Sequence, residues 1–231
     1  MLQPDPLLQL WQTPLGIHRF EHASDVNATL AKVFKTMRLT DSRAVTGAPF
    51  YASTDDLLQR IKLAEWEQLL AFIVDGLRQT VVLANQGHWP QAAPGLQIAI
   101  PSMWFQMSQM GSHHDIHTHG NCSWSGVYCV QVDNAPKRHA NKVFGQLNGV
   151  TRFYGPHFTQ QAGASMDFGN AYLQSGHIDI QPLPGQLVVF PSWLAHQAMP
   201  YAGEQDRIIV SFNARVHSAI GNDQIHNFSQ A

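Results

Sequence analysis

The chain has 231 residues, of which 44% are hydrophobic and 13% are charged. This composition is too apolar for a disordered segment and too mixed for a membrane protein, so it predicts one globular domain over residues 1–231. Lys plus Arg number 14 and Asp plus Glu number 16, which gives a net charge of −2. Because phosphate neutralisation needs clustered basic residues, we expect neither nucleic acid nor a membrane as a partner.

The cysteines and the apolar runs indicate the compartment. Cys122 and Cys129 are spaced so that they lie on opposite faces of a strand, where they cannot form a disulfide. They are therefore predicted to be thiols of a reducing compartment. The N-terminus lacks the basic region of a signal peptide, and apolar runs such as residues 69–74 are too short to span a bilayer. We expect a cytoplasmic protein, with a small-molecule, protein or peptide substrate and with a homodimer left open.

The first part of the chain, from about residue 21 to residue 90, is predicted to be helical. Ser24 or Asp25 is a suitable cap for a helix with one apolar face, and Thr54 for a short helix after it. A longer helix is predicted to end near Gly87. The apolar positions of the first and the third helix recur at helical spacing and are predicted to pack in the core: Val26, Leu30, Val33, Phe34, Met37, Trp66, Leu69, Leu70, Ile73, Leu77 and Val81.

From about residue 95 to residue 216 the hydrophobic period changes to two, which predicts strands. The predicted strands cover residues 96–107, 124–132, 186–190 and 207–214, with an edge strand at residues 11–20. Helices followed by many strands indicate an α+β, mainly β domain with the helices on one face of an antiparallel barrel or sandwich. Residues 132–181 show weak periodicity and are predicted to form a functional loop or lid.

Four histidines lie within seven residues: His113, His114, His117 and His119. In a regular strand His113, Asp115, His117 and His119 project to one side, and two ligands from one strand end can bind a metal ion. A third ligand must come from elsewhere, and Fe(II), Zn and Cu all accept imidazole. The spacing alone does not decide which two of these residues are ligands.

A second histidine and an arginine follow later in the chain. An apolar strand runs into a turn that ends on His196, and Arg207 opens another strand. Along that strand Ile208, Val210 and Phe212 share one face, whereas Arg207, Ile209, Ser211 and Asn213 share the other. A buried arginine needs an anionic partner, and a ligand carboxylate can bind its guanidinium through two hydrogen bonds. The alternative is a surface arginine that pairs with Asp206 or with solvent.

The order of these motifs resembles a known family. His117-x-His119 is followed by Trp124-Ser125-Gly126-Val127-Tyr128, by the segment from Gly185 to His196, and by Arg207-Ile208 with Ser211-Phe212-Asn213. This order is similar to that of the 2-oxoglutarate–Fe(II) oxygenases of bacteria and phages, which are relatives of the prolyl-hydroxylase-type enzymes. The resemblance covers most of the chain and is strongest from about Trp104 to Asn213.

The resemblance implies a double-stranded β-helix (jelly-roll) core, an Fe(II) ion and 2-oxoglutarate as cosubstrate. It implies a 2-oxoglutarate-dependent dioxygenase of the hydroxylase type, with an unidentified substrate. By position, the catalytic metal ligands are His117, His119 and His196, and Arg207 binds the far carboxylate of 2-oxoglutarate. Further hydrogen bonds to the cosubstrate are expected from Ser211, Asn213 and Tyr128.

One position departs from the best-known enzymes of this superfamily, which use two histidines and one carboxylate. His119 stands where they have the carboxylate, and Asp115 is the substitute if the register of the strand is shifted. A three-histidine site also suits zinc. Two alternatives therefore stay open: a three-histidine, cupin-like dioxygenase that does not use 2-oxoglutarate, and a non-catalytic jelly-roll protein that binds a metal or another ligand.

Overall fold

The structure, a computed structural model, describes residues 12–86, 95–155, 169 and 176–218. Four α-helices fall in these ranges, and a single 3-10 turn follows the last of them at Gly145–Leu147. The helices are α1 (Ala23–Thr40), α2 (Leu57–Arg60), α3 (Ala64–Ala84) and α4 (Ala135–His139). No helix in the described part of the chain is both long enough and apolar enough to cross a lipid bilayer.

In the described ranges ten strands form two antiparallel sheets. The strands are β1 (Gly16–Arg19), β2 (Phe50–Ala52), β3 (Leu96–Ser108), β4 (Ser112–His117), β5 (Trp124–Gln131), β6 (Thr151–Tyr154), β7 (His177–Ile180), β8 (Gln186–Pro191), β9 (His196–Tyr201) and β10 (Arg207–Ser218). The six-stranded sheet has the order β1-β8-β5-β10-β3-β2, and the four-stranded sheet has the order β4-β9-β6-β7. From β3 to β10 the chain alternates between the two sheets, except that β6 and β7 are both in the four-stranded sheet, and this is the arrangement of a double-stranded β-helix. The expected fold class, α+β and mainly β with a jelly-roll core, is confirmed.

Helices α1 and α3 cover the outer face of the six-stranded sheet. Their apolar stripes lie in one core with the outward side chains of the sheet, and Phe34 stacks on Phe105 at 4.5 Å between ring centroids. Burial of each such side chain contributes roughly 1.5–3 kcal/mol, so the stripes hold the helices on the sheet. The predicted start of α1 was slightly wrong, because the helix begins at Ala23 and Ser24 lies inside its first turn. The predicted stop at Gly87 lies outside the described residues.

Strand β10 alternates as its sequence predicts. Ile208, Val210 and Phe212 pack into the helical core, so the opposite set of side chains faces the space between the two sheets. Phe212 lies across from Gly126 on β5, and a Cβ at residue 126 would lie 2.3 Å from the Phe212 ring. Glycine at residue 126 therefore leaves the space on β5 that the Phe212 side chain of β10 occupies.

The structure differs from the predicted strands in four places. Strand β2 lies in the part of the chain that was predicted to be helical. Residues 132–181 are not only a loop, since they contain α4, β6 and β7. His196 opens β9 instead of ending a turn, and β10 continues to Ser218. The period-two signal misses β6 and β7 because each has only four residues and lies within a long segment of weak periodicity. The predicted edge strand is present as β1, within the described part of residues 11–20.

Candidate metal centre and cosubstrate site

Three histidines meet on the inner face of the four-stranded sheet. His117 on β4 is the Cα partner of His196 on β9, and His119 follows directly after β4. One nitrogen from each ring falls within a group whose members lie within 4.8 Å of one another. The Nε2 atoms of His119 and His196 are 3.2 Å apart, although the residues are separated by 77 positions in sequence. The antiparallel pairing of β4 with β9 therefore brings the three histidines together.

Two of the rings are held in a fixed orientation by backbone carbonyls. His117 Nδ1 donates to the carbonyl of Asp115 at 2.7 Å, and His196 Nδ1 donates to the carbonyl of Leu194 at 2.9 Å. Because a carbonyl only accepts, each Nδ1 carries the proton and each Nε2 presents a lone pair. Metal-binding histidines are commonly oriented by a hydrogen bond of this kind from the nitrogen that is not a ligand.

Burial keeps two of the imidazoles neutral. His196 is 5% exposed, and desolvation lowers its pKa to about 3. Desolvation also lowers the pKa of the half-buried His119 to about 4, with a smaller contribution from His117. Both side chains are thus unprotonated at neutral pH, which is the form that binds a metal ion.

The predicted common face of His113, Asp115, His117 and His119 is wrong. Register shifts interrupt β4 between Ser112 and His114 and again between His114 and His117. The Asp115 side chain is 95% exposed and pairs with the exposed His113, so it is not a ligand in a shifted register. His114 instead lies on the inner face, with its ring 5.5 Å from that of His117. A β-bulge reverses the alternation that the sequence pattern assumes.

Arg207 is buried with no acidic partner in the described residues. Its exposure is 3%, and burial lowers the pKa of its guanidinium. The Nη2 atom donates to Thr151 Oγ1 at 3.4 Å, whereas Nε has no hydrogen-bond partner in the described part of the chain. The alternative of a surface arginine paired with Asp206 is therefore wrong. A buried cation with an orphaned donor fits an anionic ligand.

Ser211 and Asn213 share the inner face of β10 with Arg207 but lie towards the metal end. Ser211 is the Cα partner of Trp104, whose ring lies 6.1 Å from the His119 ring. Asn213 accepts a hydrogen bond from Ser125 at 2.9 Å. At the rise of a strand Ser211 and Asn213 are roughly 13 and 20 Å from Arg207 along β10. They are thus not part of the guanidinium's immediate surroundings.

Tyr128 is not brought to the histidines. Its hydroxyl donates to Asn27 on α1 at 2.8 Å, and its ring lies against Phe20 and Phe72 in the core between the helices and the six-stranded sheet. The prediction that Tyr128 donates a hydrogen bond to the cosubstrate is therefore wrong, because its hydroxyl donates to Asn27. Tyr128 occupies the outward face of β5, because residues 128 and 127 point to opposite sides.

The residues present fit both implied groups. Three neutral imidazoles can bind Fe(II), and they suit zinc as well. Arg207 fits the far carboxylate of a dicarboxylate that chelates the metal at its other end. Three inner residues were not recognised from sequence as part of this space: Gln106, Ser108 and Thr151. Gln106 and Ser108 could have been found from the alternation of β3, because Met103, Phe105 and Met107 take the opposite face. The sequence of β6 gives no such indication for Thr151.

The sequence comparisons agree with this geometry. Residues 102–213 match the model of the family described as "Putative 2OG-Fe(II) oxygenase". The matched segment contains all three histidines and Arg207, and it runs from β3 through most of β10. A search of curated protein sequences finds no match.

Similar solved structures share the fold. A prolyl-4-hydroxylase of Pseudomonas putida is 18% identical, with a TM-score of 0.53 over 88% of this chain and 94% of that one. HygX of Streptomyces hygroscopicus, solved with nickel, 2-oxoglutarate and hygromycin B, is 10% identical, with a TM-score of 0.54 over 88% and 83%. A prolyl hydroxylase of Trichoplax adhaerens, in complex with a hypoxia-inducible-factor peptide, is 12% identical, with a TM-score of 0.51 over 87% and 83%.

The fold, the three-histidine centre and the family match agree on one class of protein. Residues 102–213, which contain the three histidines and Arg207, match the 2-oxoglutarate–Fe(II) oxygenases, as the motifs indicated. Solved relatives of the fold bind a peptide or a small molecule. The narrower resemblance to the bacterial and phage branch stays a prediction.

Proposed function

We propose that the chain is a 2-oxoglutarate-dependent hydroxylase in which His117, His119 and His196 hold Fe(II) and Arg207 binds the far carboxylate of 2-oxoglutarate. The observation that carries the proposal is the combination of a converged histidine triad with a buried guanidinium that has no protein anion among the described residues. A triad alone would fit a zinc protein equally well. The unpaired arginine adds the requirement for an anionic ligand.

The protein's own groups have three tasks in this mechanism: they hold the metal, orient the cosubstrate and limit the access of water. The imidazoles offer Nε2 lone pairs in a rigid arrangement, because the carbonyls of Asp115 and Leu194 fix two of the rings. Arg207 orients the cosubstrate by charge-assisted hydrogen bonds. When bound, iron and 2-oxoglutarate supply the oxidising chemistry, with O₂ consumed and 2-oxoglutarate converted to succinate and CO₂.

Aromatic side chains limit the access of water to the centre. The Phe190 ring is 4.7 Å from that of His196, and Phe153 packs on the same imidazole at 5.7 Å. The half-buried Trp104 approaches His119 from the opposite sheet. These rings form walls of low polarity, which protect a reactive centre from side reactions and strengthen its electrostatic interactions.

The substrate is proposed to be a small molecule or a peptide, as in the structurally similar HygX and prolyl hydroxylase. The net charge of −2 supports this class over nucleic acid. We also propose that residues 1–231 act as one oxygenase domain in the cytoplasm. A homodimer stays a prediction.

The test is consumption of 2-oxoglutarate without added substrate. Protein loaded with Fe(II) under O₂ is expected to produce succinate slowly, and zinc-loaded protein is expected to produce none. His196→Ala should abolish the signal because it removes the most buried ligand, whereas His113→Ala should leave it unchanged because that imidazole is exposed. Equal succinate yields from iron- and zinc-loaded protein would contradict the proposal.

The two alternatives predict different results in the same assay. A cupin-like dioxygenase that binds its substrate directly would consume no 2-oxoglutarate but would still need iron. A non-catalytic binding protein would produce no succinate with any metal. If no 2-oxoglutarate is consumed, its binding to the zinc-loaded protein is measured. Binding indicates a cosubstrate site that is inactive in the assay, whereas no binding favours the cupin-like dioxygenase.

A further inference from the structure

A layer of six inward-facing residues lies on the Arg207 side of the histidine triad. From the six-stranded sheet it contains Phe50, Ser108 and Arg207, and from the four-stranded sheet His114, Ala198 and Thr151. Ser108 is the Cα partner of both Phe50 and Arg207, and Ala198 is the Cα partner of both His114 and Thr151. Directly paired residues point to the same side of a sheet, so the two rows face each other. We call these six residues the far layer.

Two contacts between the sheets bound the far layer. On one side the rings of Phe50 and His114 approach to 4.9 Å between centroids. On the other side Arg207 donates to Thr151 at 3.4 Å. Ser108 and Ala198, the smallest side chains of the layer, lie between these contacts. Only these small side chains separate the arginine from the histidine within the two rows.

Several polar atoms that border this space have no hydrogen-bond partner in the described part of the chain. Within the described ranges the His114 imidazole makes only ring contacts, and no hydrogen bond of the Ser108 hydroxyl is found. The Nε atom of Arg207 is likewise unpaired there. Buried or half-buried donors that lack partners are rare in folded proteins, and several around one space point to a polar ligand.

The position of the far layer suits the far end of the cosubstrate. Ala198 follows His196 by two residues on β9, which corresponds to about 6.6 Å along an extended strand. A five-carbon dicarboxylate that chelates a metal at the triad spans about this length. The step of three residues from His114 to His117 on β4 lies opposite the step of two residues from His196 to Ala198 on β9, and the resulting bulge turns His114 inward.

We propose that His114 donates a hydrogen bond to the far carboxylate of 2-oxoglutarate, on the side opposite to Arg207. The inference rests on the proposed function and adds a binding residue that comes from the same strand as the first metal ligand. Ser108 lies between the two donors and completes the cradle. The imidazole and the guanidinium together recognise a carboxylate, and an uncharged chain end gains nothing from them.

The experiment compares two ligands by calorimetric titration of zinc-loaded protein, in which no turnover occurs. The probes are 2-oxoglutarate and 2-oxopentanoate, which has the same chain length but no far carboxylate. His114→Ala is expected to weaken 2-oxoglutarate binding about tenfold and to change 2-oxopentanoate binding less than about twofold, because only the former loses a charge-assisted hydrogen bond. His114→Gln, which keeps a donor, should restore most of the affinity.

The controls distinguish this inference from the proposed function. His113→Ala lies one residue away but is exposed, and it should bind both probes as the wild type does. Metal content is measured for every variant, and equal metal content is expected. If the wild type fails to bind 2-oxoglutarate, the proposed function and this inference both fail. If the wild type binds it but His114→Ala binds it equally well, or loses both probes equally, only the inference is overturned.

Discussion

At the scale of single residues, the centre depends on keeping imidazoles neutral inside the protein. Burial lowers the pKa of His196 and of His119, because a charged ring loses hydration there. Three neutral ligands leave the metal site one unit more positive than a site with two histidines and a carboxylate. The anionic chelating end of 2-oxoglutarate gains from this extra charge, which makes a three-histidine centre compatible with the proposed chemistry.

The lowered pKa of His196 predicts a pH dependence of folding in the metal-free protein. The folded pKa of about 3 lies below the ordinary value of 6.5, so the unfolded state binds the proton first. Stability is therefore complete above about pH 6.5 and falls as the pH drops below it. Between pH 7.5 and pH 5 the contribution of one such group amounts to about 2 kcal/mol.

Urea denaturation in the presence of a chelator measures this effect. His196→Gln should lose about 2 kcal/mol less than the wild type over that pH interval, because it has no proton to take up on unfolding. His113→Gln serves as the control, since its ring is exposed, and it should follow the wild-type curve. Parallel curves for wild type and His196→Gln would show that burial does not hold the ring neutral.

Arg207 shows how far residue-level reasoning from sequence could go. Its position on the face opposite to Ile208, Val210 and Phe212 predicted burial towards the interior, and the lack of an acidic neighbour predicted a ligand anion. The burial and the missing protein anion in the described structure agree with both steps. Ser211 and Asn213 were placed on the correct face, but the face alone does not give the distance along the strand.

At the scale of elements, β4 marks the limit of pattern reasoning. Alternation assumes a regular strand, and the two register shifts in β4 exchange the roles of Asp115 and His114. No feature of Ser112-His113-His114-Asp115-Ile116-His117 signals a bulge, because the partner strand β9 defines it. Strand β10 was predictable because its apolar set is long and its pairing with β3 is regular through residue 213.

The packing of α1 on the six-stranded sheet predicts the role of Tyr128. Tyr128→Phe removes the donor to Asn27 Oδ1 in a buried environment, and it should lower the free energy of unfolding by about 1–3 kcal/mol. Binding of Fe(II) and of 2-oxoglutarate should change less than about twofold, because the hydroxyl lies on the outer side of the sheet. Thermal denaturation and titration of the same samples measure both quantities.

A double variant serves as the control for Tyr128. Asn27→Leu combined with Tyr128→Phe removes both polar partners and should recover part of the lost stability, since no buried acceptor stays unpaired. If Tyr128→Phe instead loses affinity for 2-oxoglutarate without losing stability, Tyr128 contacts the cosubstrate, and the structural role assigned here is contradicted.

At the scale of the whole molecule, the topology gathers the site from four strands that are distant in sequence. The ligands come from β4 and β9, whereas Arg207 comes from β10 in the opposite sheet and contacts Thr151 on β6. Spacing in the sequence could not predict that these residues meet. The order of motifs could, because the jelly-roll order of a known family fixes which strands are neighbours. Outside that family's motifs, the role of Ser108 and the inward position of His114 were accessible only from the fold.

The same topology explains why metal and cosubstrate sites lie between the sheets. Helices α1 and α3 protect the outer face of the six-stranded sheet, and the apolar cluster of Phe153, Val188, Phe190 and Leu194 joins the sheets beside His196. That cluster holds the sheets together at one place, whereas unpaired polar side chains line the space next to it. The space between the two sheets thus contains both an apolar cluster that stabilises the fold and the polar site that binds ligands.

The most direct measurement is an anaerobic titration of the Fe(II)-loaded protein with 2-oxoglutarate, followed by visible absorption. We expect a charge-transfer band as the keto acid chelates iron held by His117, His119 and His196. In Arg207→Ala the band should require at least about tenfold more 2-oxoglutarate, because a charge-assisted contact to the far carboxylate is lost. No band in the wild type, or an identical titration curve in Arg207→Ala, would contradict the account.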